Sequence, residues 1–249
     1  MVPESEMTGP RQDLPMGRWW PRHYTPDGQV APRAWCARGP DGASALIKPG
    51  ALHPDLYALG HPNLARVLEG GASWHALAWI DGATVAGPVA PAAALALMDG
   101  LLAGLEALHA RGLVHRDIKC SNVLLSCGVP VIADFGLVCR AGQCAVQGTP
   151  ASTPPEQWRG SVDARADLFA AGVVLYRLLA GTHPFPGTPF EAMAAILAGR
   201  WRRLQGWEAE LEAALAPECS RRVSDATAFR AMLAARKEAP ARMPAASRQ

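Results

Sequence analysis

An excess of charge of one sign is missing from this chain: 24 Lys and Arg stand against 22 Asp and Glu, a net of +2. The basic residues are scattered, so no electrostatic footprint for a nucleic-acid partner is present. Arg236-Lys237 and the arginines from Arg200 to Arg203 read as solvated helix ends. Also missing is any C-x-x-C spacing of the zinc kind among the cysteines at 36, 120, 127, 139, 144 and 219. Reduced thiols are the simpler reading, with a redox switch left open for Cys139 and Cys144. No run of about 20 uninterrupted apolar residues occurs. The most apolar stretches, Pro91 to His109 and Leu168 to Gly181, carry Asp99, Glu106 and Arg177. Met1 to Pro15 is polar and proline-punctuated, unlike a secretory leader. These absences predict a cytoplasmic protein with no membrane partner.

What is present centres on His115-Arg116-Asp117-Ile118-Lys119-Cys120-Ser121-Asn122 and on Asp134-Phe135-Gly136 further along. The first stretch offers a carboxylate, an ammonium and an amide on one loop. The second offers another carboxylate beside a glycine turn. Such a set suits a phosphate-bound metal ion. Val123 to Leu125, a Ser-Cys-Gly turn and Val129 to Ala133 predict a hairpin that brings Asn122 and Asp134 together.

The order H-R-D-I-K-x-S-N followed by D-F-G resembles the catalytic and metal-binding loops of eukaryotic-like (Hanks-type) protein kinases. The resemblance implies an α+β, two-lobed fold. Composition predicts a flexible tail over 1–15 and a second over 239–249, and the resemblance places a kinase domain over 16–238 between them. Within the domain it implies a small β-rich lobe (16–80), a hinge (78–82) and a larger helical lobe (83–238). The implied activity is transfer of the γ-phosphate of ATP, with Mg²⁺, to a hydroxyl of a protein substrate. Asp117 is then the catalytic carboxylate, Lys119 the cation near the γ-phosphate, and Asn122 and Asp134 the metal ligands. Lys48, closing Ala45-Leu46-Ile47-Lys48, is the phosphate-binding lysine. Leu77 is the gatekeeper, Ala78 and Ile80 are hinge contacts, and Leu124 is the floor under adenine. Thr149 in Gly148-Thr149-Pro150 resembles the threonine that bonds the catalytic aspartate. Pro154-Pro155-Glu156 stands for A-P-E, with Arg222 implied as the buried partner of Glu156. Asp167 is implied as the brace of the catalytic loop, with Phe135 packed beneath His115.

Periodicity gives the helices independently. Leu95, Met98, Leu101, Leu102, Leu105 and Leu108 predict a core-facing helix from Pro91 to Arg111. Further helices are predicted over Asp163–Ala180, Pro189–Ala198, Trp207–Ala216 and Ser224–Ala235. Strands are expected at Ala34–Ala37, Ala45–Ile47, Ala65–Leu68 and Trp74–Ile80.

The first lobe departs from the family's pattern. The G-x-G-x-x-G loop is missing, and its aligned segment Asp27 to Pro32 keeps one glycine. Twelve residues separate Lys48 from His61, and Asp55 is the sole carboxylate among them, so it stands as the candidate substitute for the helix glutamate. Leu46 replaces a small alanine. Between Gly136 and Gly148 there is no Ser, Thr or Tyr to phosphorylate, although Ser152 and Thr153 follow. Constitutive activity or a regulatory partner protein is the expected control. The alternative reading is a pseudokinase, a nucleotide-binding or scaffolding module. A third, a small-molecule kinase of the aminoglycoside-phosphotransferase kind, is disfavoured by the peptide-docking features around Thr149, Glu156 and Arg222.

Overall fold

The computed structural model describes residues 19–142 and 152–238. Both expected tails and Thr149 lie outside the described residues. The chain divides into two compact units, one of residues 1–57 and 66–79, the other of 58–65 and 80–249.

The first unit is an antiparallel sheet of β1 (Thr25–Ala31), β2 (Ala34–Arg38), β3 (Ser44–Pro49), β4 (Val67–Gly70) and β5 (Trp74–Ala78), in the order β1-β2-β3-β5-β4. Register puts Trp35, Ile47 and Ala76 in one row, and side chains alternate between faces. On that face Ile47 and Ala76 join Tyr24, Ala37 and Ala45 in a core covered by Trp19, Trp20 and Trp74. Cys36, Leu46 and Leu77 form a row on the opposite face.

Two features of this unit depart from the family's pattern or from the expected bounds. The segment Asp27 to Pro32, aligned with the phosphate-covering loop, is mostly strand β1. Ala31 pairs with Ala34, so the loop shrinks to Pro32 and Arg33, with Arg33 at φ 61. The fourth strand begins at Val67 rather than Ala65. The reason is that the chain before it is engaged elsewhere: Ala65 N donates to Ile132 O and Ile132 N to Asn63 O, each at 2.8 Å. Those bonds place the segment 58–65, expected in the first lobe, in the second unit.

The second unit is helical. α1 (Pro91–His109) buries Met98, Leu101, Leu102, Leu105 and Leu108 as the periodicity predicts, whereas Leu95 is only half-buried. By length and composition α1 could cross a membrane. In this fold it packs on β9 (Val129–Ile132), α3 (Arg165–Ala180) and α6 (Ala226–Glu238). The short β6 (Ala83–Thr84) pairs with β8 (Val123–Ser126), which pairs with β9. β7 (Leu113–Val114) pairs with β10 (Cys139–Arg140). α2 (Pro155–Trp158), α4 (Pro189–Leu197) and α5 (Glu208–Leu215) complete the element order. Gly181 ends α3 in the left-handed region at φ 69, and Thr188 with Glu191 forms a capping box on α4. Arg203 and Arg236, expected as solvated ends, bond Glu212 at 2.5 Å and Glu210 at 2.9 Å.

Candidate active site

The β8–β9 hairpin positions the chemistry. Its two-residue turn, Cys127 at φ 48 and Gly128 at φ 81, has both central residues left-handed, as the twist of a tight hairpin demands. Val123 then faces Ile132, and at the open end Ala133 N donates to Asn122 O at 2.8 Å. Asn122 and Asp134 therefore leave the hairpin at the same end.

Before β8 the chain folds back in a 3-10 turn, Cys120–Asn122, with Asn122 N bonded to Lys119 O at 2.9 Å. This turn carries three polar side chains to one point. Asp117 Oδ2 accepts from Lys119 Nζ at 2.8 Å and from Asn122 Nδ2 at 2.9 Å. Asn122 Nδ2 also donates to Asp117 O at 2.8 Å. With its nitrogen committed to Asp117, Asn122 keeps its carbonyl oxygen for a cation. The Asp134 carboxylate, carried at the same end of the hairpin, would be the second donor of a hard, two-oxygen set. Mg²⁺ suits such a set because it retains waters and takes phosphate oxygens on its other positions. Among the described residues no cluster of three or more His, Cys, Asp or Glu could hold a metal.

The loop is braced from below. Asp167, fully buried in the first turn of α3, accepts from His115 N at 2.8 Å and Arg116 N at 2.7 Å. Burial pushes its carboxyl up, but the hydrogen bond from His109 and the nearby imidazoles outweigh it, and the net shift is downward. His115 stacks edge-on against Phe135 at 5.8 Å. Burial lowers its pKa against the opposing pull of Asp167 and Asp117. Its Nδ1 accepts from Asp117 N at 3.3 Å, which leaves the proton on Nε2 facing Ala133 O. Arg222, its side chain wholly buried, bonds Glu156 at 2.5 Å.

Two supports escaped the sequence reading. His109 Nε2 lies 2.8 Å from Asp167 Oδ2, and Gln157 Nε2 donates to Arg116 O at 3.0 Å. The only available signal for His109 was its place in the last turn of α1.

The remaining predicted residues are placed as follows. Lys48 lies on β3 opposite His75, on the face that also carries Leu46 and Leu77. Leu77 is buried, Ala78 ends β5, and Ile80 is the first residue beyond the unit boundary. Leu124, half-buried on β8, faces Val131. Asp55 sits in a 3-10 turn, Pro54–Ala58. In the stretch without hydroxyls, Arg116 donates to Leu137 O at 3.2 Å and to Cys139 Sγ at 3.7 Å. Cys139 is disulfide-bonded, which corrects the reading of reduced thiols throughout; Cys36, Cys120, Cys127 and Cys219 are free.

The family described as Protein kinase domain matches residues 74–229, more than half of the chain. Serine/threonine-protein kinase PknL of Mycobacterium tuberculosis (strain H37Rv) is 43% identical over 109 residues, covering 41% of this chain and 27% of PknL. Serine/threonine-protein kinase PknB of Mycobacterium leprae is 33% identical over 150 residues, covering 54% and 24%. Serine/threonine-protein kinase pkn2 of Myxococcus xanthus is 36% identical over 157 residues, covering 53% and 19%. The chain thus spans about a quarter or less of the length of these relatives. The matched region holds the braced loop, the hairpin and the Glu156–Arg222 pair together, and the chain belongs to the protein kinase domain family.

Proposed function

We propose that this protein is a serine/threonine protein kinase that transfers the γ-phosphate of ATP, with Mg²⁺, to a hydroxyl of a protein substrate. One observation carries the reading: the Asp117 carboxylate is gripped by Lys119 and Asn122 through the same oxygen, at 2.8 and 2.9 Å. Phosphoryl transfer asks a protein mainly to position an alcohol and to neutralise spreading charge. Asp117 orients the acceptor hydroxyl and takes its proton. Lys119 sets its charge beside the transferred group. Asn122, through its oxygen, and Asp134 hold Mg²⁺, which supplies charge neutralisation at the phosphates. Lys48 is the proposed phosphate contact of the first unit, with Asp55 as its proposed acidic support. Leu77, Ala78, Ile80 and Leu124 are the proposed adenine contacts. Control by a partner protein fits a segment with no hydroxyl between Gly136 and Gly148.

The test uses the full chain with labelled ATP and Mg²⁺. Label is expected on protein with the native sequence and absent with Asp134→Asn. Label passing to an added metabolite and never to protein would replace this reading with a small-molecule phosphotransferase.

A second reading, a pseudokinase scaffold, is favoured by the Pro32–Arg33 turn. Proline has no N–H, so this turn offers few backbone donors to a phosphate. A thermal midpoint unmoved at every ATP concentration, with and without Mg²⁺, would select it.

A further inference from the structure

α3 is buried at every position from Ala166 to Leu178 but one. The exception, Arg177, is exposed. Its guanidinium makes no hydrogen bond or ion pair among the described residues. It lines a cavity of about 150 Å³ whose wall also includes Lys119, Ser121, Ser152 and His183. No carboxylate is among the described residues that line it.

The cavity has the wrong size for a nucleotide, since small-molecule sites start at about 300 Å³. Its volume is on the scale of one side chain. Its polarity is equally restrictive. Arg177, Lys119, Ser121 and Ser152 line it, Lys119 already being ion-paired to Asp117, and burial, with the Arg177 charge adding to it, pushes the His183 imidazole down. A lysine or arginine entering here would meet like charge, whereas an anion would gain charge-assisted hydrogen bonds from a planar, two-pronged donor. Lys119 links the cavity to the reaction centre, because its Nζ is 2.8 Å from Asp117 Oδ2. A chain whose hydroxyl rests at Asp117 therefore passes beside this cavity within a few residues.

Building on the kinase reading above, we propose that this cavity receives an anionic side chain of the substrate, a carboxylate or a phosphorylated residue near the acceptor hydroxyl, with Arg177 as the specificity-determining residue. The protein then selects serine or threonine in acidic sequence.

Serine peptides of equal length test this, with one Glu, phosphoserine or Lys moved through each flanking position, against an uncharged reference. Two readouts are taken on the full chain for the native protein, Arg177→Lys and Arg177→Glu: kcat/KM, and peptide binding by fluorescence anisotropy. At one position the native protein should favour the anionic peptide by about tenfold over the reference. Arg177→Lys, which keeps the charge but loses the planar fork, should keep the direction of that preference at reduced size, and Arg177→Glu should abolish it or turn it toward the Lys peptide. Comparing Glu with phosphoserine identifies which anion the cavity fits. Peptides phosphorylated with no anionic preference, or with one that Arg177→Glu leaves intact, would overturn the cavity assignment and leave the kinase standing. Anion-selective binding that follows the charge at 177 without phosphate transfer would support the cavity and count against the kinase. Absence of both selective binding and transfer would overturn the cavity assignment.

Discussion

Asp167 accepts the backbone amide of Arg116 at 2.7 Å, and Arg116 is held at φ 71, a conformation that side chains other than glycine rarely adopt. The cost of that backbone, about 1–2 kcal/mol, is offset by a buried carboxylate whose bonds also fix His115 and His109. The turn it enforces is what lets Asp117 follow Arg116 in the orientation that meets Lys119 and Asn122.

Asp167→Ala should therefore cost at least about 3 kcal/mol, since it strands the buried amides of His115 and Arg116 and releases the strained turn. Chemical denaturation measures it. A loss below about 1 kcal/mol would show that the loop holds its shape without the brace.

Glu156 and Arg222 give a second stability prediction. Arg222 also donates to Arg165 O, Ala216 O and Pro217 O, so its guanidinium is saturated in a dry site. Glu156→Ala would leave that cation buried and unneutralised, at about 3–5 kcal/mol. Arg222→Met alone should cost a similar amount. The double variant should lose less than the sum, which a double-mutant cycle by urea unfolding reads directly.

Stability should fall on acidification, with the sign set by His115. Burial lowers its folded pKa below the unfolded value of about 6.5, so the unfolded chain binds the proton first. Stability is complete above about pH 6.5 and declines as pH drops from there through the folded value. His183, also lowered by burial, acts in the same direction. Asp167, lowered on balance, adds a separate loss below about pH 4. Urea midpoints from pH 8 to 5 should descend, and His115→Phe should show a shallower descent. A midpoint that is flat or rises toward pH 5 contradicts the assignment.

Gly172 reverses a familiar expectation. Alanine in place of an exposed helical glycine gains about 1 kcal/mol. At Gly172 an added Cβ would lie 2.6 Å from Ala214 Cβ, where α3 meets α5. Gly172→Ala should destabilise by about 1–3 kcal/mol through overpacking. A rise in the thermal midpoint would refute this account of the contact.

The helical unit was legible because its signals are local. Proline at the start of α1, glycine after α3 and apolar residues at helical spacing fix elements that tertiary packing then only confirms. Asp117, Asn122 and Asp134 were legible for the same reason, being tied by one loop and one hairpin. The first unit was harder to read. Its β1 contains Pro26 and Gly28, carries two bulges and is mostly exposed, so it lacks the alternation that marks a half-buried strand. The boundary at 58–65 depends on backbone bonds to residues some 70 positions on, for which no local pattern exists. His109 and Gln157 act through contacts equally remote in sequence, and the disulfide at Cys139 was legible only as the redox alternative left open for Cys139 and Cys144.

In the proposed reaction Asp117 handles the acceptor hydroxyl from a position set by Lys119 and Asn122. The most direct measure of that role is the rate of γ-phosphate transfer from ATP·Mg²⁺ to a protein acceptor, compared between the native chain and Asp117→Asn under identical conditions. The native chain should transfer phosphate, and the variant should be slower by about 100-fold or more with its thermal midpoint retained. Equal rates in the two proteins, or no transfer by the native chain at saturating nucleotide, would contradict it.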